Sequence, residues 1–403
     1  MHLMHTYQRL PVMFQRGKGD RLWDIHQTEY IDAISGIGVT SLGHAHPVIA
    51  EQLAEQATQL IHTSNMTEIY WQSLLGEKLC ALSGMDKAFI CNSGCEANEV
   101  ALKIARLYGL RKGITHPVVI VMENAFHGRT YATNAASSNA SRQTGFEFER
   151  QIAGFIRVPF DDLAAIQQVA AEQKRVVAIL VEPVQGEGGV QVFSPGYLKQ
   201  LRSLCDQHGW LLMLDEIQSG LGRTGQWFAY QHEQIVPDVL TLAKALGNGF
   251  PIGACLATGE TARLFSPGGY GSTFGGNPLA SRVACAVLDI MQASQLAERA
   301  AEMGHVFLER LNRTTAGNRY VVDVRGLGLM VGIELAVPAS HLMTQALQQE
   351  HLLINVTRDH VIRLLPCLTS SEHTLDMVIA KIGRLLEWLE PRQVHGRQQA
   401  SLV

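Results

Sequence analysis

From residue 88 onward the chain alternates short, continuous apolar runs with amphipathic stretches. The runs cover 88–91, 118–122, 176–181, 210–214 and 239–243, each bounded by turn-forming residues. Val, Ile and Leu in unbroken succession imply burial on both faces, so the runs predict strands of a mostly parallel sheet with helices on either side. One intervening stretch follows Asn92-Ser93-Gly94-Cys95 and sets Ala97, Val100, Ala101, Ile104 and Tyr108 on a single helical face. After residue 278 the pattern changes. A helical stretch from 279 to roughly 311 precedes alternating segments at 320–335 and 361–364, which predicts a smaller α+β unit. Short strands around 22–24 and 30–32 are expected to join that unit. The expected division is an N-terminal segment 1–55 attached to the small domain, a large domain 56–285, a small domain 286–390 and a frayed tail 391–403.

Composition narrows the chemistry. Hydrophobic residues make up 46% of the 403 positions and charged residues 17%, the balance of a folded globular protein rather than a disordered one. Lys and Arg number 33 against 37 Asp and Glu, a net charge of −4 with no basic tail, which argues against nucleic acid or an anionic membrane as partner. The longest apolar runs fall far short of the roughly 18–20 residues of a membrane span. The first 14 residues carry no apolar core and no small-residue cleavage site, so the expected location is the cytoplasm. Seven scattered cysteines fit reduced, mostly buried thiols. Cys91 and Cys95 lack a second pair at zinc spacing, His44 and His46 lack a third ligand, and no metal is expected.

In an open parallel sheet, ligands bind beyond the carboxyl ends of the strands, so the residues after each apolar run carry the interest. After the first run, Ser93 and the free amides of a helix N-terminus suit a phosphate, or Ser93 is a plain helix cap. Phe126 and Arg129 after the second run offer a ring face and a carboxylate fork, or a packed ring and a solvated cation. Glu182 and Glu187 lie in a glycine-rich loop after the third. Asp215 ends the fourth run, where a buried carboxylate needs a cation or several donors. Lys244 follows the fifth directly, a position where desolvation lowers the pKa of an amine and makes it a nucleophile. Together the five ends point to one site.

These ends belong to longer motifs: Ser35-Gly36-Ile37 with LGHAHP, then NSGCEANE, FHGRT, EPVQGEGG, LDEIQSGLGRTG, TLAKALGNGFPIGA and GSTFGGNPLA, in that order. In them the chain resembles, over nearly its whole length, the class III (ω-aminotransferase) branch of the pyridoxal-phosphate enzymes, in detail the group acting on acetylornithine. The resemblance implies an α/β, aspartate-aminotransferase-like (fold type I) architecture, with a large, mostly parallel sheet domain and a smaller α+β domain. It implies pyridoxal 5'-phosphate as cofactor, anchored covalently by Lys244. Asp215 would face the ring nitrogen, Gln218 the ring oxygen, and Phe126 the ring face. Ser93, Gly94 and Cys95 would hold the phosphate, and Thr273 would reach the phosphate across a homodimer with shared sites. Arg363 would bind glutamate's α-carboxylate and Glu187 would pair with Arg363 otherwise, while Arg129 and Ser272 would take the distal carboxylate. Ile37 stands where ornithine-specific relatives carry a tyrosine.

The implied reaction moves the δ-amino group of N-acetylornithine to 2-oxoglutarate, giving N-acetylglutamate 5-semialdehyde and glutamate in arginine biosynthesis. Alternatives are succinylornithine, 4-aminobutyrate or ornithine as donor, a same-fold lyase or aminomutase, and a non-catalytic cofactor binder. Lys244 and Asp215 count against the binder, and paired carboxylate-binding arginines against the aminomutase. Departures from the family pattern are Cys95, where alanine or threonine is common, Asn248 inside a glycine run, and the poorly matching stretch 137–150.

Overall fold

The computed structural model describes residues 2–138 and 152–389. Its central sheet has seven strands in the order Lys87–Cys91, Gly253–Ala257, Val239–Leu242, Leu211–Asp215, Val176–Val181, Val118–Met122, Phe155–Val158. Four of the six pairings are parallel, and Gly253–Ala257 runs antiparallel to both neighbours. Alternate residues of the unbroken apolar runs enter two separate cores. Ile120, Ile179, Leu212 and Leu240 pack on one side. Val121, Leu180, Met213 and Val239 pack on the other, under Val100, Ala101 and Ile104 of the Gly94–Arg111 helix. Burial on both faces is therefore what the absence of polar alternation recorded.

The sequence pattern departs from the structure in five places. Gly253–Ala257 was not expected as a strand, because GACLA holds small residues and no β-branched ones, and Phe155–Val158 is a half-exposed edge strand. The run at 210–214 is shifted by one: the Trp210 amide bonds back to Cys205 at the exit of a helix, and the strand extends through Asp215. The single helix expected over 279–311 is two, Pro278–Ala293 and Leu296–Thr315, broken where Gln295 turns left-handed with φ 47°. The segment 320–335 is a hairpin of Val321–Leu327 and Met330–Leu335.

Two four-stranded sheets lie outside the central one. Met330–Leu335 pairs Val361–Leu364, which pairs Asn355–Thr357, all antiparallel. Phe14–Lys18, Arg21–Asp24 and Glu29–Asp32 form the other sheet, closed by Leu352–Leu353 running parallel to Glu29–Asp32. The N-terminal strands thus pair with the C-terminal third of the chain. The tail 391–403 and all but the first two residues of the stretch 137–150 lie outside the described residues. No helix among the described residues is long and apolar enough to cross a membrane. His44 Nε2 lies 2.7 Å from Asp32 Oδ2, and the described residues hold no group of three or more potential metal ligands.

Candidate active site

The sheet order brings the carboxyl ends of five strands to one edge of the sheet, where the residues at and after those ends line a cavity of about 320 Å³. Of the expected site residues, Ser93, Gly94, Cys95, Phe126, Glu187, Asp215, Gln218 and Lys244 line it.

Asp215 is 3% exposed and is held by three donors. Its Oδ2 accepts from Asn98 Nδ2 at 2.7 Å and His127 Nδ1 at 2.8 Å, and its Oδ1 accepts from the Ile217 amide at 3.1 Å. A carboxylate only accepts, so the His127 proton sits on Nδ1. Asn98 is locked in turn: its Nδ2 also donates to the His127 carbonyl and its Oδ1 accepts from Thr241 Oγ1, both at 2.7 Å. The network leaves Oδ1 with room for one more donor from the cavity. Sequence reasoning asked for a partner to Asp215 and did not name His127 or Asn98. The available signal was an amide at position 98 inside the stripe of Ala97, Val100 and Ala101, a buried polar group that needs partners.

Lys244 lies two residues past the end of its strand, in a left-handed turn with φ 44°. Burial pushes its amine down, the nearby Arg363 adds to the effect, and Glu187, Asp215 and Glu182 oppose it, leaving a pKa of about 8. Asn248 takes the left-handed conformation as a glycine would, and its side chain binds Leu42 N and Gly43 O at 2.8 and 3.2 Å, which accounts for this departure in the glycine run. Glu182, 5% exposed, accepts from the Phe126 amide at 2.9 Å and the Gly186 amide at 3.2 Å. Burial raises its pKa to about 7.

The Gly94–Arg111 helix opens on the cavity with Ser93 as cap, its Oγ accepting from Glu96 N at 3.2 Å. A Cβ at residue 94 would lie 2.7 Å from Ile217 Cδ1, so the Ile217 side chain would have to shift to admit one. A Cβ on Gly186 would lie 2.1 Å from Gln218 Oε1 and would displace the Gln218 amide from its place beside Arg363.

Arg363 is fully buried, at 0% side-chain exposure. Its Nη2 donates to Glu187 Oε1 at 2.8 Å, its Nη1 to Gln218 Oε1 at 3.2 Å, and its Nε and Nη2 both to Asn355 Oδ1. Burial raises the Glu187 pKa, but Arg363 outweighs it and holds the carboxyl below the usual range. The remaining expected residues lie outside the cavity lining. Arg129 is exposed, its guanidinium 5.7 Å from the Phe126 ring centre. Ser272 accepts from Asn92 Nδ2 at 3.1 Å beside the helix N-terminus, and Thr273 is exposed. Ile37 packs against the apolar cluster of Val184, Val190, Met330 and Leu365.

Residues 3–386 match the Aminotransferase class-III family. The chain belongs to the class III aminotransferases. Acetylornithine aminotransferase of Nitrosomonas europaea is 51% identical over 392 residues, covering 97% of this chain and 99% of that one. Among solved structures, acetylornithine aminotransferase of Elizabethkingia anophelis superposes with a TM-score of 0.85 at 36% identity, covering 96% of each chain. Ornithine aminotransferase of Toxoplasma gondii, with pyridoxal phosphate in partial occupancy at its active site, superposes with a TM-score of 0.89 at 34% identity, covering 96% of this chain and 92% of that one. This class III aminotransferase is accordingly a pyridoxal-phosphate enzyme of fold type I.

The aminotransferase's own residues fit that cofactor. A flat cationic heterocycle with a phosphate arm needs a buried anion, an amine, an anion-binding terminus and an apolar face. The cavity supplies Asp215, Lys244, the first-turn amides of the Gly94–Arg111 helix and the Phe126 ring. Such amides have no acceptor within their own helix.

Proposed function

We propose that this aminotransferase transfers the δ-amino group of N-acetylornithine to 2-oxoglutarate, giving N-acetylglutamate 5-semialdehyde and glutamate in the biosynthesis of arginine. The observation that carries the reading is the Arg363–Glu187 pair beside Lys244 and Asp215. The enzyme must accept glutamate, whose reacting carbon bears a carboxylate, and a δ-amine, whose reacting carbon bears none. A permanently free buried arginine would suit only glutamate. An arginine neutralised by a carboxylate that can leave suits both, because an unpaired buried charge is costly. The relatives named as acetylornithine aminotransferases support the choice of donor.

Bound pyridoxal phosphate supplies an electron sink for the pair left behind when the substrate carbon loses its proton. Lys244 would hold the cofactor through Nζ, and the same amine, when free, would accept the proton released at the substrate carbon. Its lowered pKa gives a substantial neutral fraction near pH 8. Asp215, steadied by His127 and Asn98, would keep the ring nitrogen protonated, and Gln218 would serve the ring oxygen. Phe126 would cover the ring face, and Ser93, Gly94 and Cys95 would bind the phosphate. Arg129, with Ser272, takes the distal carboxylate.

The same reading makes the protein a homodimer with shared sites. Thr273 stands exposed between Ser272 and Phe274, and Phe274, Met66 and Tyr70 are 63%, 92% and 73% exposed. Asn65 ties this surface together by donating to the Ser272 and Gly275 carbonyls at 2.9 and 3.0 Å. A second copy covering the apolar patch would bring Thr273 to the neighbouring phosphate. Seven free thiols support a reducing, cytoplasmic setting. The division into a segment 1–55, a large domain 56–285 and a small domain 286–390 belongs to this reading as well.

The main alternative is ornithine itself as donor. Ile37 disfavours it, because this side chain, set in an apolar cluster, offers no partner to a free α-amino group. Glutamate formation from N-acetylornithine, N-succinylornithine, ornithine and 4-aminobutyrate decides the matter. The kcat/KM for N-acetylornithine is expected to exceed the others, and ornithine in the lead would refute the assignment.

A further inference from the structure

Arg363 is gripped along two separate edges of its guanidinium. On the first, Nε and Nη2 both donate to one acceptor, Asn355 Oδ1, at 3.0 and 2.7 Å. On the second, Nη1 donates to Gln218 Oε1 at 3.2 Å and Nη2 to Glu187 Oε1 at 2.8 Å. A carboxylate takes a guanidinium by one edge at a time, with two parallel bonds. The second edge is therefore where an incoming carboxylate exchanges with Glu187, and the first must hold while it does so.

The short strand Asn355–Thr357 is built for that task. Asn355 lies in register opposite Arg363 on the antiparallel neighbour, so the two side chains share a face of the sheet. Two residues on, Thr357 Oγ1 donates to the backbone carbonyl of Glu187 at 2.6 Å. One strand thus anchors the arginine by its side chain and the glutamate by its backbone. What remains free to leave is the Glu187 side chain, 31% exposed against 0% for Arg363.

Charge then decides which residue position 355 requires. A carboxylate there would accept the same two bonds and neutralise Arg363 permanently, leaving little attraction for a substrate carboxylate. An amide oxygen accepts them and leaves the positive charge available on the other edge. We propose that Asn355 is a specificity-determining positioning residue: a neutral acceptor that holds Arg363 by one edge while Glu187 and a substrate's α-carboxylate exchange on the other. The proposal rests on the reading of Arg363 given above.

The test compares Asn355→Asp and Asn355→Ala with the wild-type holoenzyme, with Arg363→Ala as control. Calorimetric binding of 2-oxoglutarate reports the carboxylate site without turnover, and the two half-reactions report discrimination. Asn355→Asp is expected to weaken 2-oxoglutarate about tenfold or more and to lower the glutamate to N-acetylornithine ratio of kcat/KM by a similar factor. Asn355→Ala, which frees the first edge, is expected to move both in the same direction by several-fold, and it serves alone if the aspartate variant fails to fold. Folded variants that bind 2-oxoglutarate as tightly as wild type, or that slow both half-reactions equally, would overturn the role of Asn355. Retained 2-oxoglutarate binding in Arg363→Ala would instead overturn the reading of Arg363, a separate outcome.

Discussion

Replacing Glu187 by alanine removes the carboxylate that shields Arg363 and should weaken the N-acetylornithine half-reaction relative to the glutamate half-reaction. In the free variant, solvent entering the cavity can hydrate Arg363. When N-acetylornithine binds, it expels that solvent and brings no carboxylate to the reacting carbon, so the guanidinium is left buried with only Asn355 and Gln218 as acceptors. Removing one member of a fully buried pair costs about 3–5 kcal/mol, and of an exposed pair at most about 1 kcal/mol. With Arg363 at 0% and Glu187 at 31% exposure, this pair stands between those limits, and a loss of about 1–3 kcal/mol is expected. That corresponds to roughly 5–150-fold in kcat/KM for the N-acetylornithine half-reaction. Glutamate brings its own carboxylate and no longer has to displace Glu187, so its half-reaction should be unchanged or faster. Single-turnover absorbance of the cofactor, followed with each donor separately, measures both. Arg129→Ala is the control and should slow both, since glutamate and N-acetylornithine each carry a carboxylate distal to the reacting amine. Equal losses for the two donors in a correctly folded Glu187→Ala protein would refute the exchange.

Two further outcomes follow from the geometry. Burial lowers the Lys244 pKa from 10.5 to about 8, so below pH 8 the folded apoprotein bears a cost of up to about 3 kcal/mol for holding that proton, and the cost disappears as pH rises to 10.5. Inactive Lys244→Met apoprotein should therefore exceed wild type in denaturant stability at pH 7, by roughly 1–3 kcal/mol, and lose that advantage toward pH 10.5; an advantage constant with pH would contradict the shift. If Thr273 serves the neighbouring subunit, co-expressing Lys244→Ala with an inactive Thr273→Ala variant should restore part of the activity through hybrid dimers, and hybrids that form yet stay inactive would rule out a shared phosphate site.

Much of the sheet was legible because burial on both faces leaves a local trace. The strands Val118–Met122 and Val176–Val181 coincide with their apolar runs residue for residue. Where burial relies on small side chains, as in Gly253–Ala257, the trace fades, and a two-residue break such as that at Gln295 hardly disturbs the helical period around it. The chemistry at the strand ends was readable for a related reason. A lysine and an aspartate at the ends of buried apolar runs are expensive unless paired or used, so Lys244 and Asp215 stand out without knowledge of their neighbours.

Their neighbours were another matter. Asn98 and His127 reach Asp215 from 117 and 88 residues away, and Glu187 and Gln218 reach Arg363 from 176 and 145. No period or spacing in a chain encodes such meetings; they arise when strand order and register bring distant ends to one edge. Family motifs anticipated the pairing of Glu187 with Arg363 but not Asn355, which takes its place through the register of two short antiparallel strands. Local pattern measures how much each residue is buried, because burial sets the cost of each side chain separately. Which polar groups then satisfy one another depends on the closure of the whole chain, because a hydrogen bond is decided within a few tenths of an ångström.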